Sequence, residues 1–127
     1  MEIVRAIYAA WERGDFSSAD WAHRDIEFGF ADGPEPGGWR GREAMSRRYG
    51  DFLRGFKAFR AEPERYFVVD EHRILVLVRN SGQGRTSGLE FEQRSVANLF
   101  EIEDGLVTRL VVYWDRERAL ADLGLSE

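Results

Sequence analysis

The feature that most constrains the fold of this chain is a long β-hairpin signal near its carboxyl end. Two runs rich in β-branched and aromatic residues, residues 89–103 and 106–115, flank Asp104-Gly105. An Asp-Gly pair favours the tight turn whose twist matches that of paired strands. A hairpin of this length belongs to a substantial curved sheet. The inner wall of this sheet would be aromatic. On one face of the hairpin, Asn98 is the single uncharged polar residue.

Length and composition exclude several classes of protein. The 127 residues fit one domain, 1–127, that buries roughly two-thirds of its unfolded surface. A net charge of −5 argues against nucleic-acid binding, which needs a basic surface. The lack of cysteine excludes disulfides, thiolate zinc sites and a cysteine nucleophile. Without an apolar run of about 20 residues or a signal-peptide core, we expect a cytoplasmic protein with no membrane partner.

The helical segments are indicated by apolar spacing and by capping residues. Apolar side chains one turn apart over residues 3–11 predict a first helix that ends at Gly14. A short second helix through Trp21 should follow. A longer helix is expected from about residue 42 to residue 55, and a final short helix is capped by Asp115.

The strands make this an α+β protein with helices packed on a sheet. Alternation of Ile26, Phe28 and Phe30 predicts the first strand, and residues 31–38, rich in Gly and Pro, predict a loop. Further strands are expected over residues 58–69, 73–80, 89–103 and 106–115. A flexible turn is expected over residues 81–88. Helices first, then several sequential strands, are typical of the α+β class.

Motifs spread over nearly the whole chain resemble those of SnoaL-like proteins, a family of polyketide cyclase-like proteins in the nuclear transport factor 2 and ketosteroid isomerase superfamily. In chain order they are YAAWERGDF at 8–16, HRDIEF at 23–28, GREA at 41–44, EDG at 103–105 and VYWDR at 112–116. The resemblance implies a cone-shaped barrel. In it a strongly curved, mostly antiparallel sheet wraps around N-terminal helices, with a pocket at one end and a short C-terminal helix. Homodimers are common in this superfamily.

The catalytic residues of known family enzymes are not found at the matching positions of this chain. Isomerase-type members place a tyrosine on the first helix, an acid at the end of the first strand and an acid on the penultimate strand. The matching positions here are Ile7, Phe30 and Asn98. Two of these are apolar, so an isomerase mechanism is disfavoured. Asn98, with Val96 two residues earlier, also breaks the Asp-Arg-Asp pattern of the family's epoxide hydrolases.

Three residues remain candidates for catalysis. Asp32 continues the inward face of Phe28 and Phe30, so desolvation could raise its pKa and make it a general base. The alternative is that Asp32 only stabilises a turn. Asn98 could donate a hydrogen bond to a ligand carbonyl, or it could satisfy a backbone group or a water molecule. Tyr49 offers a hydroxyl that a purely structural position does not require.

Aromatic residues are the candidates for ligand binding. They are Tyr8, Trp11, Trp21, Phe28, Phe30, Trp39, Phe52, Phe56, Phe100 and Trp114. We expect Trp39, in the loop before the long helix, to act as a lid. Counting by twos from Asn98 places Glu92 and Arg94 near the mouth of the cone. There they would grip a polar ligand end or form a solvated ion pair, unless a bulge reverses the face.

Three classes of function fit these residues: a cofactor-independent acid/base enzyme of the cyclase or isomerase kind, a non-catalytic pocket for an apolar metabolite, and a dimerising module. We favour binding of a small apolar, ring-containing metabolite, to which acid/base activity could be added. The alternative is a non-catalytic dimerising module whose cavity is filled by its own side chains. Val111 and Tyr113, apolar on the opposite sheet face, would form an exposed patch for a homodimer. No cofactor is implied, and neither His23 nor His72 has a partner that suggests a metal site.

Overall fold

The computed structural model describes residues 1–33 and 36–126, and its helices and strands belong to the predicted α+β class. The helices are α1 (Glu2–Glu12), α2 (Arg42–Leu53) and α3 (Arg116–Leu123). The strands are β1 (Ala22–Phe30), β2 (Gly37–Arg40), β3 (Phe56–Val68), β4 (Arg73–Gly84), β5 (Glu90–Glu103) and β6 (Leu106–Tyr113). Within the described ranges, no helix is long and apolar enough to cross a membrane.

The six strands form one curled, unclosed sheet in the order β2-β1-β6-β5-β4-β3. The pair β1–β6 is parallel, and the other neighbouring strands are antiparallel. Helices α1 and α2 pack on the inner face of the sheet, and α3 packs on the outer face. The expected cone-shaped arrangement is therefore confirmed.

The hairpin that dominates the sequence forms as predicted. Asp104 and Gly105 have φ angles of 51° and 77°, so both central turn residues are left-handed, as a type I′ turn requires. Glu103 pairs with Leu106 beside the turn, and Asn98 pairs with Val112 farther along. This register fixes which residues of β5 and β6 share a face.

The main core lies between the inner face of the sheet and the first two helices. Helix α1 buries an apolar stripe made of Val4, Ile7, Tyr8 and Trp11, and α2 buries Met45. Burial of each large apolar side chain stabilises a fold by about 1.5–3 kcal/mol. The sheet contributes the inward residues of every long strand, which are Ile26, Phe28, Phe30, Phe59, Ala61, Ile74, Val76, Val78, Val96, Phe100, Val107, Leu110 and Val112.

A smaller core on the outer face explains why the expected exposed patch is wrong. Helix α3 places Ala119 and Leu120 against the sheet, and Tyr113 beneath it is only 7% exposed. Val111 packs partly buried against the same cluster. The helix begins as predicted, since the Asp115 side chain accepts a hydrogen bond from the Glu117 amide at 3.0 Å.

The prediction of a short second helix after Gly14 is wrong. The Asp15 carboxylate accepts hydrogen bonds from the Ser17 amide at 3.0 Å and from the Ser17 hydroxyl at 2.6 Å. This local bonding replaces the first turn of a helix with a turn closed by the Asp15 side chain. The Trp21 indole N–H donates to the Ser18 carbonyl at 3.0 Å, so irregular backbone continues to the start of β1.

Part of the expected loop 31–38 is instead an edge strand. Strand β2 pairs antiparallel with β1, and Trp39 lies opposite Phe28 in this strand rather than in a loop. Its glycines give no alternating pattern, so only the pairing with β1 makes it a strand. Pro34 and Glu35, within the same prediction, lie outside the described residues.

The prediction that Arg94 lies on the inner face is wrong, because β5 contains a bulge. Val78 pairs with Val96, but Asn80 pairs with Gln93, so β5 has one residue more than β4 over this interval. The extra residue reverses the side-chain alternation, and Glu92 and Arg94 therefore lie on the outer face. Beyond the bulge β4 and β5 stay paired to the 83↔90 position, which replaces much of the flexible turn expected over 81–88.

Candidate functional site

The inner face of the sheet contains a small cavity, which we call the Asn98 cavity. Its volume is about 20 Å³, which is room for roughly one water molecule. Strands β1, β4, β5 and β6 and helix α2 supply its walls. The lining residues are Phe30, Tyr49, Phe52, Asn80, Val96, Asn98, Val112 and Trp114.

Asn98 is the central polar group of this cavity. Even-numbered residues of β5 after the bulge point inward, and Asn98 among them is 5% exposed. Its Nδ2 donates a hydrogen bond to the Tyr8 hydroxyl at 2.8 Å. Its Oδ1 is buried and has no hydrogen-bond partner among the described residues, so we call it the open amide oxygen. Leaving such an atom unpaired costs about 1–3 kcal/mol.

Tyr8 holds the amide from the helix side. Burial raises the pKa of the Tyr8 phenol well above its ordinary value, and the hydrogen bond from Asn98 lowers it by less. The phenol is therefore neutral at physiological pH. The family resemblance matched Ile7 with the tyrosine of isomerase-type members, but the hydroxyl that meets Asn98 comes from the next residue, Tyr8. Both residues lie in the buried stripe of α1.

Asn80 is a polar lining residue that the sequence analysis missed. It is 9% exposed and lines the Asn98 cavity from β4, the strand next to Asn98. A signal for it was present, since counting by twos from Ile74 through Val76 and Val78 reaches Asn80 on the inner face. The cavity thus has two amide side chains on neighbouring strands.

Tyr49 reaches the same cavity from α2. Its ring lies 5.8 Å from the ring of Trp11 and 6.1 Å from those of Phe28 and Phe52, measured between centroids. Burial raises the pKa of the Tyr49 phenol. Within the described part of the chain its hydroxyl makes no hydrogen bond, so it is available to a ligand.

Three aromatic rings close one end of the cavity. Trp114 stacks on Phe30 at 6.3 Å between centroids, with an angle of 24° between the planes. It also meets Phe52 edge to face at 5.9 Å. Gly33 lies directly against the Trp114 indole, because a Cβ at Gly33 would overlap that ring.

Asp32, the candidate general base, holds the backbone of this aromatic group. Its Oδ1 accepts a hydrogen bond from the Trp114 amide at 2.6 Å, and its Oδ2 accepts one from the Asp115 amide at 3.4 Å. Asp32 is not among the residues that line the Asn98 cavity. Its carboxylate therefore positions Trp114 rather than facing the cavity.

Trp39 lies beside the cavity rather than over it. Its ring is 6.2 Å from Phe28 and 6.1 Å from Phe30, on the edge strand β2. The Arg48 guanidinium lies 5.1 Å from the ring centroids of both Phe30 and Trp39. This cation–π arrangement stabilises the Trp39 ring on the sheet.

The remaining predicted residues divide between core, a second cavity and the outer surface. Phe28 and Phe100 are fully buried core residues. Trp11 and Trp21 line a separate cavity. The other two predictions lie away from the Asn98 cavity: Phe56 packs on Phe91 at 5.0 Å, and Arg94 on the outer face is paired with Glu64 at 3.3 Å and Glu92 at 3.2 Å.

The Asn98 cavity offers hydrogen bonds and ring surfaces. In the described structure, each residue that lines it is an amide, a phenol or an apolar side chain, and none is ionised at neutral pH. Within residues 1–33 and 36–126, no three His, Asp or Glu side chains are grouped so that they could hold a metal ion. The arrangement can bind and orient a small molecule that has a ring and a polar atom.

Solved structures with the same fold have low sequence identity to this chain. A SnoaL-like polyketide cyclase candidate from Jannaschia sp. is 16% identical, with a TM-score of 0.76 over 99% of this chain and 92% of that one. A ketosteroid isomerase-like protein from Catenulispora acidiphila in complex with trimethylamine is 17% identical, with a TM-score of 0.72 over 98% and 94%. TerC, co-crystallised with polyporic acid, is 16% identical, with a TM-score of 0.75 over 97% and 96%.

Sequence comparison assigns the family more directly. No curated protein sequence matches this chain significantly. The family model of the SnoaL-like domain, however, matches residues 4–110, which is more than half of the chain. The matched segment runs from α1 to the middle of β6 and includes Tyr8, Tyr49 and Asn98. This chain therefore belongs to the SnoaL-like domain family.

Proposed function

We propose that this protein binds a small apolar, ring-containing molecule in its cone, with a polar atom of that molecule hydrogen-bonded to Asn98. The observation that carries the proposal is the open amide oxygen, buried beside a cavity that aromatic rings surround. An unpaired buried polar atom is costly, and a ligand hydroxyl that donates to it removes the cost. Asn80 and Tyr49 provide further hydrogen-bonding groups within the same cavity.

The Asn98 amide suits either a hydroxyl or a carbonyl. In the orientation described, the open amide oxygen accepts from a ligand O–H. With the amide turned over, the Tyr8 hydroxyl donates to Oδ1 and Nδ2 is free to donate to a ligand carbonyl. The ligand class therefore includes phenols, alcohols and ketones that carry an apolar ring.

A ring enters this cavity only if side chains move. The volume of about 20 Å³ is far smaller than a ring, so the ligand must displace part of the wall. Tyr49, Phe52 and Trp114 are the aromatic lining residues that are partly exposed, whereas the strand residues Val96 and Val112 are buried. Movement of these three rings is the expected route.

Binding without proton transfer is favoured over cyclase or isomerase chemistry. A general base must reach the proton that it abstracts. The lining residues in the described structure supply no carboxylate or imidazole, and Asp32 is engaged with the Trp114 backbone. The relatives that hold polyporic acid and trimethylamine support a cone that accepts small molecules.

The second candidate function is a dimerising module with a filled cone. The small volume of the Asn98 cavity favours it. We retain a homodimer through the outer sheet face as a proposal: helix α3 covers most of Tyr113, but a groove of about 570 Å³ beside this helix, lined in part by Val111, Tyr113 and Arg118, leaves room for a second copy. Size-exclusion chromatography with light scattering, over a range of concentrations, measures the oligomeric state. A monomer at all concentrations contradicts the dimer.

A thermal-shift screen tests ligand binding. The panel contains aromatic polyketides, steroids, terpenoids and their epoxides, together with polyporic acid. A ligand that binds only the folded protein stabilises it by about 2.7 kcal/mol at a hundredfold excess over Kd. We expect a clear shift with at least one compound, and we expect Asn98→Leu to abolish it.

Asp32→Asn is the matched control for this screen. It keeps an oxygen that can accept from the Trp114 amide, so the thermal shift with the same compound should persist. The compound should also be recovered unchanged after incubation. If no compound in the panel shifts the transition, the filled dimerising module is favoured and the binding proposal is wrong.

A further inference from the structure

A second cavity lies on the far side of Tyr49 from the Asn98 cavity. Its volume is about 130 Å³, and Tyr49 lines both cavities. It lies between α2, the irregular segment after α1 and strand β6, and its walls include Trp11, Phe16, Trp21 and Leu110. We call it the ring compartment. An apolar cavity of about 150 Å³ is known to accept benzene, so the ring compartment has the size of one aromatic ring.

The walls of the ring compartment select for an apolar group. The Trp21 indole N–H already donates to the Ser18 carbonyl at 3.0 Å, and the Ser17 hydroxyl is bonded to Asp15 at 2.6 Å. The Trp21 indole N–H and the Ser17 hydroxyl are therefore engaged, and the Ser46 and Tyr49 side chains add two further polar groups to the wall. What remains toward the cavity is mainly the ring surface of Trp11, Phe16 and Trp21 and the side chain of Leu110.

Gly50 in the interior of α2 keeps this space open. Its φ is not positive, so the backbone conformation does not require glycine. A Cβ at Gly50 would meet no atom of the described structure within 4 Å, so packing does not require glycine either. Glycine in a helix interior costs roughly 0.5–1 kcal/mol relative to alanine. Because Gly50 lines the ring compartment, we expect a larger side chain at this position to reduce the volume of that compartment.

Tyr49 is the partition between the two spaces. Its ring contacts are with other aromatic rings, with centroids 5.8 Å from Trp11 and 5.9 Å from Phe16. Its hydroxyl makes no hydrogen bond within the described residues that would hold the side chain in place. Rotation of this side chain therefore breaks packing contacts but no hydrogen bond, and because Tyr49 lines both cavities, we expect the rotation to open a path between them.

We propose that the ring compartment and the Asn98 cavity form one site for an elongated molecule. Its aromatic ring occupies the ring compartment, and an oxygen at its other end meets Asn98 once Tyr49 has turned aside. The ligand class is a two-ring or ring-and-chain compound with a terminal hydroxyl or carbonyl. This inference rests on the proposed function of the cone, and it adds the second compartment and the length of the ligand.

Fluorine NMR of protein labelled with 5-fluorotryptophan distinguishes the two compartments. The chain has four tryptophans, so four signals can be assigned by single Trp→Phe substitutions. Trp11 and Trp21 report on the ring compartment, Trp114 reports on the Asn98 cavity, and Trp39 is the internal control. The probes are toluene, which has one ring, and 4-phenylphenol, which has two rings and a terminal hydroxyl.

Toluene should shift the Trp11 and Trp21 signals, and 4-phenylphenol should shift these and the Trp114 signal. Gly50→Leu is meant to fill the ring compartment, and it should weaken the binding of both probes at least tenfold. Asn98→Leu should weaken the binding of 4-phenylphenol at least tenfold and leave the affinity for toluene unchanged. Gly50→Leu should fold, since leucine is a better helix former than glycine, and urea unfolding checks this. Gly50→Ala is the matched control with little added volume.

Each contrary outcome overturns a defined claim. If Asn98→Leu weakens the binding of 4-phenylphenol but Gly50→Leu does not, the elongated site is wrong and the proposed function stands. If toluene binds in the ring compartment but 4-phenylphenol is indifferent to Asn98→Leu, the proposed function fails and the joined site fails with it. Shifts confined to Trp39, or no shifts at all, overturn the elongated site, and the thermal-shift screen then decides the proposed function separately.

Discussion

Asn98 and Tyr8 form a hydrogen-bonded polar pair inside a largely apolar cone. The amide gives the Tyr8 hydroxyl its hydrogen bond at 2.8 Å, and the amide itself keeps one atom open toward the cavity. Removing one partner of a buried pair leaves the other unpaired, whereas replacing both by apolar groups of similar shape is nearly neutral or stabilising. The pair is therefore costly for stability and useful for binding.

A double-mutant cycle measures this cost. Tyr8→Phe leaves both polar atoms of the Asn98 amide unpaired and should lower the free energy of unfolding by about 1–3 kcal/mol. The double variant Tyr8→Phe, Asn98→Leu should recover this loss and reach at least wild-type stability, because no unpaired amide remains. Urea unfolding gives all four values. A double variant that is less stable than Tyr8→Phe alone would contradict our description of the pair.

The site residues could be predicted from the sequence only where alternation is unbroken. Counting by twos along β5 places Asn98 inward, as the structure does, and the same count along β4 would have found Asn80. Arg94 was placed on the wrong face because of the bulge between Gln93 and Val96. That bulge depends on how β5 pairs with β4, and the local sequence does not encode it.

At the scale of elements, Arg116 joins α3 to three strands. Its guanidinium donates to the Glu64 carboxylate at 2.9 Å on β3, to the Val78 carbonyl at 3.0 Å on β4 and to the Val96 carbonyl at 3.5 Å on β5. The Arg116 side chain is 15% exposed. One of the two bulges of β3 lies at Glu64 and the bulge of β5 lies near Val96, so the Arg116 side chain contacts an irregular segment of each strand.

Arg116→Ala should destabilise the protein by about 2–3 kcal/mol, because Glu64 and the strand carbonyls lose a partly buried cation. Arg116→Lys should recover less than half of this loss. One nitrogen, Nη2, makes all three bonds. The lysine side chain is shorter, and its strongly hydrated ammonium is harder to bury than a guanidinium, so it should not replace that nitrogen. Chemical denaturation of the three proteins measures the difference. Wild-type stability in Arg116→Lys would show that charge alone is what matters.

Elements with strong local signals could be predicted, and those that depend on distant partners could not. The Asp104-Gly105 turn and the Asp115 cap carry their own chemistry, and both are confirmed. The helix expected through Trp21 is absent from the described structure because Asp15 bonds its own neighbouring backbone instead. Strand β2 exists because β1 pairs with it, which its glycine-rich sequence does not indicate.

At the scale of the whole molecule, buried tyrosines set the alkaline limit of stability. Burial raises the pKa of both Tyr8 and Tyr49. Below about pH 10 these phenols are protonated in both the folded and the unfolded chain. Their contribution to the free energy of unfolding is therefore fully present in this pH range. Above that pH the unfolded chain releases the protons and the folded protein retains them. The free energy of unfolding therefore falls as pH rises.

Unfolding experiments from pH 8 to pH 11 test this dependence. Each of the two phenols should contribute a decrease of about 1.4 kcal/mol per pH unit above pH 10. In the variant Tyr8→Phe, Tyr49→Phe the decrease should be smaller by the sum of these contributions. Tyr66 and Tyr113, whose pKa values are also raised by burial, act equally in both proteins. Equal slopes for wild type and variant would refute the assignment.

The curled sheet and the helices packed on it are shared by proteins of very different chemistry, so the fold alone does not decide the function. What distinguishes this chain is the content of its cone. Phe30 and Asn98 line the cavity at the positions where the resemblance to isomerase-type members would place acids, and a ring-sized compartment lies behind Tyr49. These features support binding of a neutral, ring-containing molecule.

The side-chain amide signals of asparagine test this account most directly. The chain has only two asparagines, Asn80 and Asn98, and both line the same cavity. Asparagine-selective ¹⁵N labelling therefore gives two pairs of side-chain signals, and Asn98→Leu identifies them. On titration with the compound that gives the largest thermal shift, we expect the Asn98 signals to move and to saturate with the gain in stability. A compound that stabilises the protein while both pairs of signals stay unchanged would contradict binding in the cone.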